Sequence, residues 1–173
     1  MNKSKIQKIT ITALFAALTF VATMVIKIPT PGTSGYIHPG DSLVILSGVF
    51  LGPVYGFLAA GLGSMLSDLL GGYFLYAPVT FLIKGITAAV VAIIYRKIAA
   101  RIRIASFRTV ICGLFSTVIV VVGYFCFEFV IYQGGAFASV PANIIQGLSG
   151  LVISSLLLPV LLTIPAFRGL LSE

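Results

Sequence analysis

The chain has 173 residues, of which 59% are hydrophobic and 9% charged, and its mean hydropathy is +1.15. A soluble domain usually carries about 25% charged residues, so a soluble fold is excluded. At roughly 20 residues per spanning helix, residues 1–173 make one domain of several membrane helices with no stretch left for a soluble one. The formal charge of +7 then reads as an orientation signal and an attraction to anionic lipid heads, not as nucleic-acid binding.

The first predicted helix covers about 6–28, after the basic start MNKSKIQK. Its apolar run is too long for a signal peptide, and no A-x-A-like site follows it. The PTPG turn at Pro29 and Pro31 ends it. Next comes SGYIHPGDSLV, which holds the chain's single histidine, His38, beside Asp41. The second helix, 42–52, has eleven residues and spans only about 17 Å, short of the roughly 30 Å hydrocarbon core. A re-entrant first external loop would complete the depth, with Gly35 and Gly40 allowing tight turns. Asp41 can instead cap this helix. Pro53, following Gly52, opens a third helix at 54–70, and Pro78 opens a fourth that runs to Tyr95 and the basic stretch RKIAARIRIASFR. A fifth covers 109–132 and a sixth 143–162, bent or ended by Pro159 and Pro165. Cys112 and Cys126 lack metal-type spacing and are expected to pack as small apolar groups.

The expected fold is therefore an all-α integral membrane protein with six transmembrane helices. Cytoplasmic loops carry the excess of Lys and Arg. With both termini cytoplasmic, that side holds Lys3, Lys5, Lys8, Arg96, Lys97, Arg101, Arg103, Arg108 and Arg168, which is nine of the eleven cations. The same orientation gathers Lys27, Asp41, Asp68, Glu128, Asn143 and Gln146 in the outer half. Lys84 lies six residues past Pro78, or roughly 9 Å below the outer end of its helix. Ionisable groups in a bilayer usually face a polar cavity or one another, so these side chains are expected to line one external chamber, with His38 and Asp41 above it. Lys84 and Glu128 are expected to pair or to share a water when the chamber is empty, which would leave either a ligand site or a structural ion pair. Asn143 and Gln146 share a face with Gly147 and Gly150 and can act as ligand contacts or as interhelical glue. Tyr36, Tyr73, Phe74, Tyr76 and Tyr124 are an interfacial belt or a platform for a flat ring.

Catalytic signatures are missing. The chain contains no H-E-x-x-H, G-x-S-x-G, C-x-x-C or P-loop, so neither an enzyme, a cofactor nor a metal is expected. A channel needs polar groups through both halves, and these stop at the midplane. The pattern fits a one-sided binding cup.

The run ITALFAALTFV, the loop ending in IHPGD, and GDSLVILSGVFLGPVYGFLAAGLGSMLSDLL with its G-P step resemble the substrate-binding S components of energy-coupling factor (ECF) vitamin transporters over nearly the whole chain. The members for pyridoxine, hydroxymethylpyrimidine or pantothenate look nearest. The resemblance implies a plasma-membrane protein that captures a water-soluble vitamin or precursor outside. It would then join a transmembrane T component and two ATPase subunits, with import following a tilt of the S component. It also implies that Ala13 and Ala17, an A-x-x-x-A pair, dock on the T component. Gly48, Gly52 and Gly56 are further candidate contact stripes, since small residues four apart let helices approach; the alternative for these small residues is packing inside the bundle. The alternative is a stand-alone secondary transporter or channel for a small polar solute, which would want an inverted repeat or an inner polar path; the sequence shows neither.

Overall fold

The computed structural model describes residues 3–30, 34, 36–99 and 101–172. The turns expected at Pro31 and Gly35 lie outside these residues. In order come α1 (Lys3–Val25), β1 (Ile28–Pro29), β2 (Tyr36–Ile37), α2 (Asp41–Leu70), α3 (Ala77–Ala99), α4 (Ala105–Tyr132), a 3-10 turn (Gln133–Gly135), α5 (Ala136–Leu161) and α6 (Pro165–Ser172). The stretches Lys5–Val25, Asp41–Leu70, Ala77–Ile98 and Ala105–Leu161 are long and apolar enough to cross a membrane.

Solvent preference is inverted. Leu14, Leu156 and Val130 are 51%, 68% and 81% exposed, whereas Asp41 and Lys84 are fully buried at 0%. In lipid every backbone polar group must be satisfied within the protein, and helices do this. Hydroxyls in the interior bond back onto their own helix, as Thr19 does to the Phe15 carbonyl at 2.8 Å and Thr87 to that of Ile83 at 2.7 Å.

Two arms make up α2. The chain reverses at Gly52, whose φ of 77° and ψ of −176° fall in a region essentially reserved for glycine, and Pro53 starts the return arm. A Cβ on Gly56 would lie 3.0 Å from the Gly48 Cα, which no single straight helix allows eight residues apart. The G-P step expected between two helices is thus a tight helical hairpin, and Asp41 and Asp68 finish at the same pole. The hairpin packs on α3, α1 and α5, and α4 packs on α5 and α3.

Four features differ from the sequence reading. Gly48 faces α3, where a Cβ would meet the Ala88 carbonyl at 2.3 Å, so Gly48 and Gly56 serve packing within the bundle and are not an outer contact stripe. Helix α5 starts at Ala136, ahead of the expected 143, and carries Pro141 and Pro159 inside it, while Pro165 opens α6. The amphipathic α6 and the two-residue β1–β2 ladder had no sequence signal. The lower core joins Phe15, Phe50, Val91, Tyr95 and Leu158 to α6 through Phe167, Leu170 and Leu171.

Candidate functional site

Three rungs cross the upper bundle from one stripe of α3 and the residue just before it, Tyr76. Tyr76, Thr80 and Lys84 are spaced four apart, so they stack on one face at about 6 Å intervals. The Tyr76 hydroxyl donates to Glu128 Oε1 of α4 at 3.0 Å, and Thr80 Oγ1 and the Tyr124 hydroxyl are 2.9 Å apart. Lys84 Nζ donates to Asp41 Oδ1 at 2.5 Å, an ion pair with both side chains fully buried.

The expected Lys84–Glu128 pair is therefore corrected. Glu128 lies on the top rung, held by Tyr76 and by the Ser139 hydroxyl, and Lys84 two rungs lower turns to Asp41. Nor is Asp41 a helix cap, because no side-chain cap bond is made at the start of α2. Its Oδ2 accepts from Gln146 Nε2 at 3.1 Å, and Gln146 Oε1 accepts from the His38 backbone N–H at 3.0 Å. This closed network draws His38 into the bundle. The missing side chain of Gly150 makes room for it, since a Cβ there would sit 2.7 Å from that of Asp41.

The described residues 36–40 are packed against the bundle, none of them exposed. His38 is 7% exposed, and its Nδ1 accepts the Gly40 N–H at 3.1 Å. Burial first, and then the Lys84 charge, push its imidazole pKa down to about 3, so the ring is neutral. The Tyr36 hydroxyl donates to Asp68 Oδ1 at 2.7 Å, and burial followed by that carboxylate raises the phenol well above its ordinary range. Lys27 Nζ stands 4.5 Å over the Tyr36 ring and 5.2 Å over that of Tyr73. Burial lowers its pKa against the opposing pull of Asp68.

Above the closed network lies a pocket lined by Thr30, Tyr36, His38, Asp68, Tyr76, Thr80, Tyr124, Glu128 and Asn143. The space between them, mouth included, is about 350 Å³. Of the sequence candidates, His38, Tyr36, Tyr76, Tyr124, Glu128 and Asn143 line this pocket, and Lys84, Asp41 and Gln146 do not. Phe74, 68% exposed, stays on the outer surface. Asp68 Oδ1 accepts from Tyr36, whereas its buried Oδ2 has only the Thr80 hydroxyl near it, outside good hydrogen-bond geometry, so the pocket offers this oxygen to a better placed donor. Thr30, Thr80 and Ser139 were missed by the sequence reading; only Thr80 had a usable signal, its place midway between Tyr76 and Lys84. Among the described residues no cluster of His, Cys, Asp and Glu could hold a metal ion. Ala13 and Ala17 are both exposed on α1, away from this site.

Residues 3–163 match the family model of the ECF-type riboflavin transporter S component. The "Uncharacterized protein in gap 3'region" of Pyrococcus woesei is 36% identical over 134 residues, 77% of this chain and 86% of that one. The thiamine precursor transporter HmpT of Lactococcus lactis subsp. cremoris (strain MG1363) is 29% identical over 163 residues, 93% of this chain and 91% of its own.

Proposed function

Because the chain belongs to the S-component family of ECF-type transporters and is a multi-pass protein of the plasma membrane, we propose that it is the substrate-binding subunit of an ATP-driven importer of a water-soluble vitamin or precursor. The substrate is a planar heteroaromatic such as hydroxymethylpyrimidine or pyridoxine. Pantothenate ranks next. The observation that carries this choice is the charge of the pocket wall. Lys84 is closed off by Asp41, while Asp68 and Glu128 both line the pocket. An anionic ligand would meet two carboxylates there and no lining cation. A ring with N–H or O–H donors finds acceptors in Asp68, Glu128 and Asn143 and aromatic faces in Tyr36, Tyr76 and Tyr124. The thiamine precursor named for the relative HmpT is in keeping with this chemistry.

Six segments cross the bilayer in this reading, counting the two arms of α2 separately, and both termini are cytoplasmic. The short arm from Asp41 is completed in depth by the re-entrant loop carrying Tyr36 and His38. Asp41, Lys84 and Gln146 form the floor that holds this loop closed. The exposed Ala13 and Ala17 face the T component, which with two ATPase subunits supplies the energy. The chain itself hydrolyses nothing.

Calorimetry on the purified chain with hydroxymethylpyrimidine, pyridoxine, pantothenate and riboflavin, joined to mass spectrometry of whatever small molecule co-purifies, tests the substrate class. Binding of a pyrimidine or pyridine in preference to pantothenate is expected; tighter binding of pantothenate overturns it. Uptake in cells lacking the ATPase subunits would establish the stand-alone transporter instead.

A further inference from the structure

The pole of the bundle opposite the cup carries a second set of buried, unused donors. Tyr95, near the end of α3, is 4% exposed, and its hydroxyl has no hydrogen-bond partner. Over its ring, 5.3 Å from the centroid, stands the Arg108 guanidinium of α4. One amino group of Arg108 donates to the Arg103 carbonyl at 3.1 Å, but its Nε is buried with no partner. Both unpartnered groups carry hydrogens to donate and lie beside one cavity of about 100 Å³, lined by Val49, Tyr95, Arg96, Arg108, Leu170 and Leu171. Arg96 is positioned by the hairpin turn, its guanidinium 2.8 Å from where a Gly52 Cβ would be. A second cavity of about 160 Å³ shares Arg96 and Leu170 and continues along Ile11, Phe50, Leu51 and Tyr55 to Lys8.

The chemistry of these walls is one-sided. Among the described residues no carboxylate lines either cavity; Asp41, Asp68 and Glu128 belong to the other pole. Two guanidinium forks and a phenol match the oxygens of a phosphate, which arginine binds in bidentate fashion. The adjoining trough combines the apolar Ile11, Phe50, Leu51 and Leu170 with Lys8, Tyr55 and Arg96, and it is roofed by α6, whose Phe167, Leu170 and Leu171 turn inward while Arg168 is exposed. Basic pockets between membrane helices on the cytoplasmic side take anionic headgroups.

We propose that this cavity binds the phosphate of an anionic phospholipid, with Tyr95, Arg96 and Arg108 on the headgroup and an acyl chain in the trough between α1, the hairpin turn and α6. A neutral planar vitamin would satisfy neither guanidinium, so the site is separate from the cup. Bound lipid would join α6 to the ends of α3 and α4.

The test uses the full chain in detergent, with native mass spectrometry and melting curves. The probes are dioctanoyl phosphatidylglycerol, dioctanoyl phosphatidylcholine and inorganic phosphate. Both lipids carry the phosphate, but phosphatidylcholine adds a choline cation that faces two arginines, so the wild-type chain is expected to bind phosphatidylglycerol at least about tenfold more tightly, a difference of about 1.4 kcal/mol. Arg96→Gln/Arg108→Gln should abolish that preference. Tyr95→Phe, which keeps the packing, should reduce it, so the site remains testable if the arginine variant fails to fold. Phosphate competing with the lipid supports the same chemistry. Phosphate binding without any lipid binding overturns the lipid assignment. So do equal retention of the two lipids, a preference that survives both variants, or arginines required only for assembly with the T component.

Discussion

Removing the charge of Lys84 tests the floor of the cup most directly. In Lys84→Met a chain of similar length remains, but Asp41, 0% exposed, keeps its carboxylate with only the Gln146 amide as a partner. Breaking a buried pair from one side costs about 3–5 kcal/mol, because the charge left behind has lost its hydration and gained nothing, whereas replacing both members by neutral groups is often close to neutral. For a domain of this size about 2–4 °C of melting temperature goes with each kcal/mol. Lys84→Met should therefore melt roughly 6–20 °C lower. Asp41→Asn/Lys84→Met, which retains an oxygen for Gln146, should recover most of that loss. A thiol-reactive dye can report the transition, since Cys112 is buried and Cys126 is exposed and can be replaced by Ser. If the single variant melts with the wild type, or the double variant melts no higher than the single, the pair does not hold the floor together.

Glu128→Gln keeps the shape of the upper rung and removes its charge; it should weaken ligand binding about ten- to a hundredfold by calorimetry, given roughly 1.5–3 kcal/mol for a charge-assisted bond. Unchanged affinity would remove Glu128 from the site. His38 has its pKa pushed down to about 3 in the fold against about 6.5 unfolded, so protons favour the unfolded chain. Its contribution to stability is complete above about pH 6.5 and is lost progressively as pH falls toward 3, by at most about 1.4 kcal/mol per pH unit. Melting temperatures at pH 7.5, 6 and 5 should fall more steeply for the wild type than for His38→Asn, and parallel curves would refute the assignment. Ala13→Leu/Ala17→Leu should leave ligand binding intact and abolish ATP-driven uptake; lost binding with intact assembly would place these alanines in the wrong role.

Much of the helical framework was readable because apolar length and proline position are properties of single segments. Pro53 after Gly52 marked a helix boundary, and the structure makes it a hairpin turn. Helix α6 was not readable: eight residues make no spanning run, and its three inward apolar side chains matter only beside Phe15 and Phe50. The membership of the cup was partly readable, since a membrane chain buries few charges and places them with purpose. Ser139 was invisible and Thr80 was marked only by its place between Tyr76 and Lys84, because threonine and serine are unremarkable in apolar helices, where they bond back onto the backbone.

The pairing of Lys84 failed for a geometric reason that depth alone could not supply. Helices α3 and α4 run antiparallel, so the rungs that set Tyr76 against Glu128 and Thr80 against Tyr124 continue one turn down to set Lys84 against Val120. Val120 is fully buried and apolar, so what α4 offers the ammonium is the face of the Tyr124 ring, 5.3 Å from Nζ to its centroid. Glu128 is two turns higher, roughly 12 Å along the helix, beyond the reach of a lysine already level with Val120. The charge is met from a third direction, by Asp41 at the head of the short arm of α2. This also accounts for where that arm begins. Lys84 and Gln146 fix Asp41 below the aromatic rungs, and Gln146 in turn binds the His38 N–H, so the loop ahead of the arm is drawn down over the pocket. A lysine that looks like a ligand residue in the sequence is paired in the fold with Asp41, whose second oxygen continues the link through Gln146 to the His38 N–H.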